Sequence, residues 1–377
     1  MAAPAITIPT DLLPTDGRFG CGPSKIRPEA VAALNTVATS YLGTSHRQAT
    51  VKDLVGRMQD GIREFFSLPD GYEIVLGNGG STCFWDVATF GLIEQASQHT
   101  VFGEFSAKFA EAASAAPHLQ RVSVIEAPVG TSAAPVAEDG IDTYCLVHNE
   151  TSTGVSTTIQ RPAGTSSAAN QLVAVDATSG AGGLSIDPTQ TDCYYFAPQK
   201  CFASDGGIWL AVMSPAAIER VEKIRASKRW IPASLDLWTA VDNSRKQQTY
   251  NTPALATIFL LVQQLDWMNA QGGLSWAAAR CATSAEYMYS WADSSPFATP
   301  FVASPHNRSN VVATIDLEGV VATTVSAVLR QNGIVDTDSY RKLGRNQLRM
   351  AMFPAVEPSD VRCLTACIDY VVGALSG

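Results

Sequence analysis

From about residue 50 to 225 the chain alternates short apolar runs with stretches whose apolar positions recur at helical spacing. The runs at 73–76, 100–103, 122–125, 144–148, 172–175, 193–196 and 209–213 are too short for helices. Gly, Pro and Asp bound several of them, so they predict strands buried on both faces. Helical spacing at 81–94 and 106–115 places helices between the first of them. The alternation predicts an α/β domain with a mainly parallel, seven-stranded sheet. A long helical pattern at 253–269 stops at Gln271-Gly272-Gly273. A helix at 274–291 follows, then a strand at 311–315, a helix at 320–332, a strand at 347–352 and a helix at 359–375. The order predicts a large domain over 1–264 and a smaller α+β domain over 265–377. The N-terminal segment to about residue 25 is expected to pack on the smaller domain.

Composition narrows the class. The chain has 377 residues, 46% of them hydrophobic and only 16% charged, which fits a large folded interior. A net charge of −9 leaves no basic face to replace the counterions of a nucleic acid. The longest apolar stretch, near 254–262, is far short of a membrane span. The first residues show no basic, apolar leader pattern, and a cytoplasmic location is the default expectation. Eight cysteines are scattered without a Cys-x-x-Cys pair. The i,i+4 pair Cys363 and Cys367 reads as two helix-face thiols rather than a metal site. No His-Glu-x-x-His or Gly-x-Ser-x-Gly motif is present, and no metal is expected.

Three features carry chemistry. Gly77-Asn-Gly-Gly-Ser-Thr82 follows a strand and opens an apolar helix. Glycines let an anion approach the backbone, free N–H groups at a helix start favour it, and Ser81 and Thr82 add hydroxyls. A tight turn with a capping serine would look the same. Asp176 ends the run Leu172-Val-Ala-Val-Asp176, where open α/β sheets place ligands; it could hold a protonated pyridine nitrogen or merely cap the next loop. Lys200 follows the buried run Tyr194-Tyr-Phe. Burial there would favour the neutral amine that forms imines, whereas a strand-end lysine could also lie in solvent. Together they supply a phosphate cup, a ring-nitrogen partner and an imine-forming amine, the three things pyridoxal 5′-phosphate requires.

At these residues the chain resembles the class V, fold-type I, pyridoxal-phosphate-dependent aminotransferases. The likeness runs through Phe19-Gly-Cys-Gly-Pro-Ser24, Gly43-Thr-Ser-His-Arg47, Gly77 to Thr82, His148-Asn-Glu-Thr-Ser-Thr-Gly154, Asp176, Ala197-Pro-Gln-Lys200 and Tyr250-Asn-Thr-Pro253. The resemblance implies a transaminase in which Lys200 bonds the cofactor and moves a proton. It implies Asp176 at the ring nitrogen, Thr151 at the ring hydroxyl and Phe105 stacked on the ring. Ser81, Thr82 and Gln199 would hold the phosphate, joined by Asn251 and Thr252 from the second subunit of a homodimer. His46, Arg47 and Arg349 would bind the substrates' anionic ends.

The implied reaction passes an amino group between L-glutamate and 3-phosphohydroxypyruvate in serine biosynthesis, by a ping-pong route. A four-carbon homologue from vitamin B6 synthesis, 4-phosphohydroxythreonine, is hard for such a pocket to reject. The chain departs from the family pattern in three places. Phe105 stands where many members have Trp, Ser81-Thr82 where many have Arg, and no His-Arg pair aligns in the C-terminal part, leaving Arg345 and Arg341 as candidates for its task. Alternatives are another class V reaction, such as alanine–glyoxylate transamination or cysteine desulfuration using Cys201, and a non-catalytic binding protein of the same fold.

Overall fold

The computed structural model describes residues 4–376; the outermost ends of the two expected domains and the first three residues of the leader reading lie outside them. In chain order the elements are α1 (Pro28–Tyr41), α2 (Ala49–Phe65), β1 (Glu73–Asn78), α3 (Ser81–Gly91), β2 (Ala96–Val101), α4 (Glu104–Ser114), β3 (Arg121–Glu126), β4 (Thr143–Val147), β5 (Asn149–Glu150), β6 (Val155–Ser156), β7 (Leu172–Asp176), β8 (Cys193–Phe196) and β9 (Ile208–Met213). There follow α5 (Pro215–Ala226), α6 (Leu237–Ser244), α7 (Leu255–Gln271), α8 (Gly273–Ser294), β10 (Ala298–Pro300), β11 (Val312–Leu317), α9 (Ala322–Gln331), β12 (Gln347–Ala351) and α10 (Pro358–Ser376).

The large sheet has the order β1-β9-β8-β7-β4-β2-β3. The pairs β8·β7, β7·β4, β4·β2 and β2·β3 are parallel, and β9 pairs antiparallel with both β8 and β1, so β9 alone is reversed. Strand alternation sends Leu146, Val173, Val175, Tyr194, Phe196 and Leu210 to one face, under α2 and α7. It sends Cys145, Leu172, Ala174, Cys193, Tyr195 and Trp209 to the other, with α3, α4, α5 and α6. Both faces are covered, which is why the strands read as unbroken apolar runs. Each large side chain so buried contributes roughly 1.5–3 kcal/mol.

A second sheet, β10-β11-β12, is antiparallel. Its core gathers α8, α9, α10 and, from the N-terminal segment, Ile8 and Phe19. The 264/265 boundary falls inside α7, whose Leu265 and Met268 still belong to the core of the large sheet. Along α8 the packing changes partner: Ala277 faces the large core, while Ala285, Met288 and Ala292 face the second.

Several elements differ from the sequence reading, and α1, α6, β5 and β6 have no counterpart in it. The second strand lies at Ala96–Val101, not 100–103, because Ser97, Gln98, His99 and Thr100 are buried despite being polar. Their partners are provided nearby: Ser97 Oγ lies 2.9 Å from His99 Nε2, and Gln98 bonds both Glu138 and Val136 N. Helix α3 ends at Gly91 rather than 94, and β10 was not anticipated. Among the described residues no helix is long and apolar enough to cross a membrane.

Candidate active site

The turn between β1 and α3 sets the first wall. Gly79 has φ +114°, a conformation L side chains rarely adopt, which releases the chain into α3 with Ser81 in its first turn. The first N–H groups of a helix lack partners inside it and present positive ends. The Ser81 hydroxyl is buried and bonds nothing. Asp176 is the last residue of β7, and Lys200 lies four residues beyond β8, so both stand at the carboxyl edge of parallel strands. They line one cavity of about 490 Å³ with Cys21, Gly22, Pro23, Ser81, Thr82, Trp85, Phe105, Thr151, Thr178, Gln199, Tyr340 and Arg349.

Lys200 Nζ donates to Thr151 Oγ1 at 2.9 Å and lies 5.5 Å from the centre of the Phe105 ring. Burial pushes its ammonium below the ordinary lysine range, against the opposing pull of Asp176. The N-terminal strap holds the lysine's loop: Ser24 Oγ donates to the Lys200 carbonyl at 2.7 Å and Ser24 N to that of Gln199 at 2.8 Å. At Gly22 a Cβ would come within 2.8 Å of Lys200 Cε, so glycine leaves room for the side chain.

Asp176 takes three hydrogen bonds. Trp85 Nε1 donates to Oδ2 at 2.9 Å, and Thr178 donates to Oδ1 from N at 2.9 Å and from Oγ1 at 2.5 Å. Thr151 Oγ1 donates a hydrogen bond to Ser179 Oγ at 2.7 Å, and its carbonyl accepts from Arg349 Nη1 at 3.2 Å. The guanidinium of Arg349 sits 5.3 Å from the Tyr340 ring centre, and its Nε is buried without a partner. Phe105 is fixed through α4. The fully buried Glu150 accepts from Ser106 N and Oγ, both at 2.9 Å, at the helix's positive end.

Of the residues singled out in the sequence, Ser81, Thr82, Phe105, Thr151, Asp176, Gln199, Lys200 and Arg349 thus meet at one cavity. His46, Arg47, Asn251 and Thr252 do not line it. His46 Nδ1 lies 3.3 Å from Thr252 Oγ1, Asn251 N bonds Asn78 Oδ1, and Arg47 is exposed. Arg345 also stays outside: its guanidinium binds Asp316 and stacks 4.5 Å from the Phe301 ring centre, so its charge is already matched elsewhere. Sequence reading missed Trp85, Glu150, Thr178 and Tyr340. Only Trp85 carried a signal, its i,i+4 spacing from Ser81 on a helix expected to line the site.

Cys201 is buried with Sγ donating to the Ser179 carbonyl at 3.3 Å, and burial holds its thiol well above the usual range. Cys21 faces the cavity, and burial raises its thiol too. Neither is poised as a thiolate, the form that desulfuration chemistry needs. Among the described residues no His/Cys/Asp/Glu group could hold a metal.

The donor set fits pyridoxal phosphate. One buried hydroxyl without a partner, Ser81 Oγ, stands at a helix N-terminus, and an amine and a carboxylate complete the cavity. The model of the class V aminotransferase family matches residues 19–337, and the chain belongs to that family of pyridoxal-phosphate-dependent transaminases. It is 61% identical over 372 residues, 98% of this chain and 99% of the relative, to the phosphoserine aminotransferase of a Nocardioides species. It is 56% identical over 373 residues, 99% of this chain and 98% of the relative, to a putative phosphoserine aminotransferase of Mycobacterium leprae. The fold also matches a crystal structure of a phosphoserine aminotransferase from Cytophaga hutchinsonii, with TM-score 0.84 at 23% identity, over 94% of this chain and 99% of that one.

Proposed function

We propose that this protein transfers an amino group reversibly between L-glutamate and 3-phosphohydroxypyruvate, giving 2-oxoglutarate and O-phospho-L-serine. The observation that carries the substrate is the 61% identity, over 98% of the chain, to a relative named for it. Pyridoxal phosphate supplies the electron sink that takes up the pair left when a substrate Cα–H bond breaks. The remaining work belongs to the chain. Ser81, Thr82 and Gln199 hold the cofactor's phosphate, and Asp176 holds its ring nitrogen protonated. Phe105 covers one face of the ring. Lys200 anchors the cofactor; its lowered pKa leaves Nζ able to take the proton from glutamate Cα and to deliver one to the acceptor carbon of the keto acid. Thr151 aims that amine. The Arg349 fork binds the α-carboxylate that both substrates share.

The active unit is a homodimer in this reading, in the cytoplasm. The partner's Asn251 and Thr252 close the phosphate cup, and the partner's His46 and Arg47 bind the substrate's distal anion. The chain divides into a large domain, 1–264, and a small one, 265–377, with α7 and α8 bridging them. 4-Phosphohydroxythreonine is a further substrate. The test is to supply purified protein and cofactor with O-phosphoserine and 2-oxoglutarate and to measure glutamate. Turnover supports the reading. Turnover of alanine with glyoxylate, but not of phosphoserine, contradicts it.

A further inference from the structure

We propose that Trp85 is a positioning residue for Asp176, so that helix α3 contributes to both ends of the cofactor site; this rests on the functional reading above. Asp176 is a buried carboxylate with about four acceptor positions. Thr178 fills both on Oδ1 through a local turn. On Oδ2 the indole N–H of Trp85 fills one at 2.9 Å, reaching across from another element. The acceptor position that remains is therefore on Oδ2, the oxygen Trp85 holds. A hydrogen bond from a fixed donor stops the carboxylate rotating and so sets where that open position points.

Trp85 is itself packed in place. It is buried at 4% exposure and lies parallel to Phe109, with ring centroids 6.5 Å apart at 16°. A buried indole N–H needs an acceptor, and Asp176 provides it. Trp85 follows Ser81 by four residues, so both lie on one face of α3, and both line the cavity. At the first turn that face offers Ser81 Oγ, buried and unbonded; one turn later it offers the clamp on Asp176. The separation between phosphate cup and ring-nitrogen carboxylate is set by one helical turn, with no hinge between them.

The experiment uses Trp85→Phe, which keeps an aromatic ring in place but removes the N–H. Cofactor-free wild type and variant are titrated with pyridoxal phosphate, and the visible band of each loaded protein is followed against pH. The dissociation constant is expected to rise about tenfold, and the band's pH midpoint to move, while the far-ultraviolet dichroism of the cofactor-free form stays the same. An unchanged constant and midpoint overturn the role of Trp85. Should the variant not fold, cofactor-free Asp176→Ala with nitrogen-15-labelled tryptophan gives an independent reading. One of the seven indole N–H resonances must shift from its wild-type position, and none shifting overturns the proposal. Wild type that takes up no pyridoxal phosphate overturns the functional reading and this inference together. Coloured wild type with an indistinguishable Trp85→Phe overturns only the latter.

Discussion

Lys200 Nζ is held by Thr151 Oγ1 at 2.9 Å, and the carbonyl of the same threonine accepts from Arg349. Lys200 follows a strand of the large sheet and Arg349 belongs to β12 of the small one. One threonine therefore ties the Lys200 amine to the Arg349 guanidinium, the two groups to which the proposed function gives the proton transfer and the substrate carboxylate.

Thr151→Val keeps the shape and removes the acceptor. We expect kcat to fall roughly ten- to hundredfold, with a smaller change in KM for glutamate, since aim rather than binding is lost. Steady-state kinetics decide it, and an unchanged kcat would remove Thr151 from the machinery.

Arg349→Lys keeps a positive charge but loses the planar fork. KM should rise about tenfold or more for both substrates, because both carry the same α-carboxylate. A rise for one substrate alone would place Arg349 at a distal group instead.

The placement of Asp176 and Lys200 was legible in the sequence because buried strands announce themselves as apolar runs; Asp176 ends one of them and Lys200 follows another by four residues. Phe105 and Thr151 were legible only through resemblance, since nothing in their spacing marks a wall of a cavity. Strand β2 starts earlier than its apolar end suggests because its polar side chains find partners inside the fold: Ser97 and His99 each other, and Gln98 the distant Glu138 and Val136 N. Arg345 and Arg349 look equivalent four residues apart. What separates them is Asp316 on the neighbouring strand, which captures the first. Glu150 was invisible for a related reason: a buried carboxylate is tolerable only because the start of α4 and Ser152 surround it with donors.

His46, Arg47, Asn251 and Thr252 lie outside the cavity of their own chain, and a shared site predicts complementation. Inactive Lys200→Ala and Asn251→Ala protomers, mixed and reassociated, should regain up to about a quarter of wild-type activity, carried by the one intact site of each mixed dimer. Sedimentation or light scattering shows whether the dimer forms. A dimer that mixes without rescue would contradict the shared site.

Two buried histidines make the fold acid-sensitive. Burial pushes His148 down to about 4 and His99 down to about 3, from an ordinary value of 6.5. The folded values lie below the unfolded one, so the unfolded chain takes up protons first as pH falls. Stability is fully present above about pH 6.5 and is lost towards pH 4, by roughly 1.4 kcal/mol per pH unit for each histidine. His148→Gln should flatten that slope by one proton in denaturant titrations run across this window. An unchanged slope would mean that His148 is not the titrating group.

The most direct measurement is the visible spectrum of the protein saturated with pyridoxal phosphate, recorded before and after O-phosphoserine, glutamate or alanine. Wild type is predicted to show a visible band that phosphoserine and glutamate bleach and alanine leaves alone, and Lys200→Ala is predicted to lack the band. A wild type that stays colourless, or a band that answers to alanine and not to phosphoserine, would contradict the account.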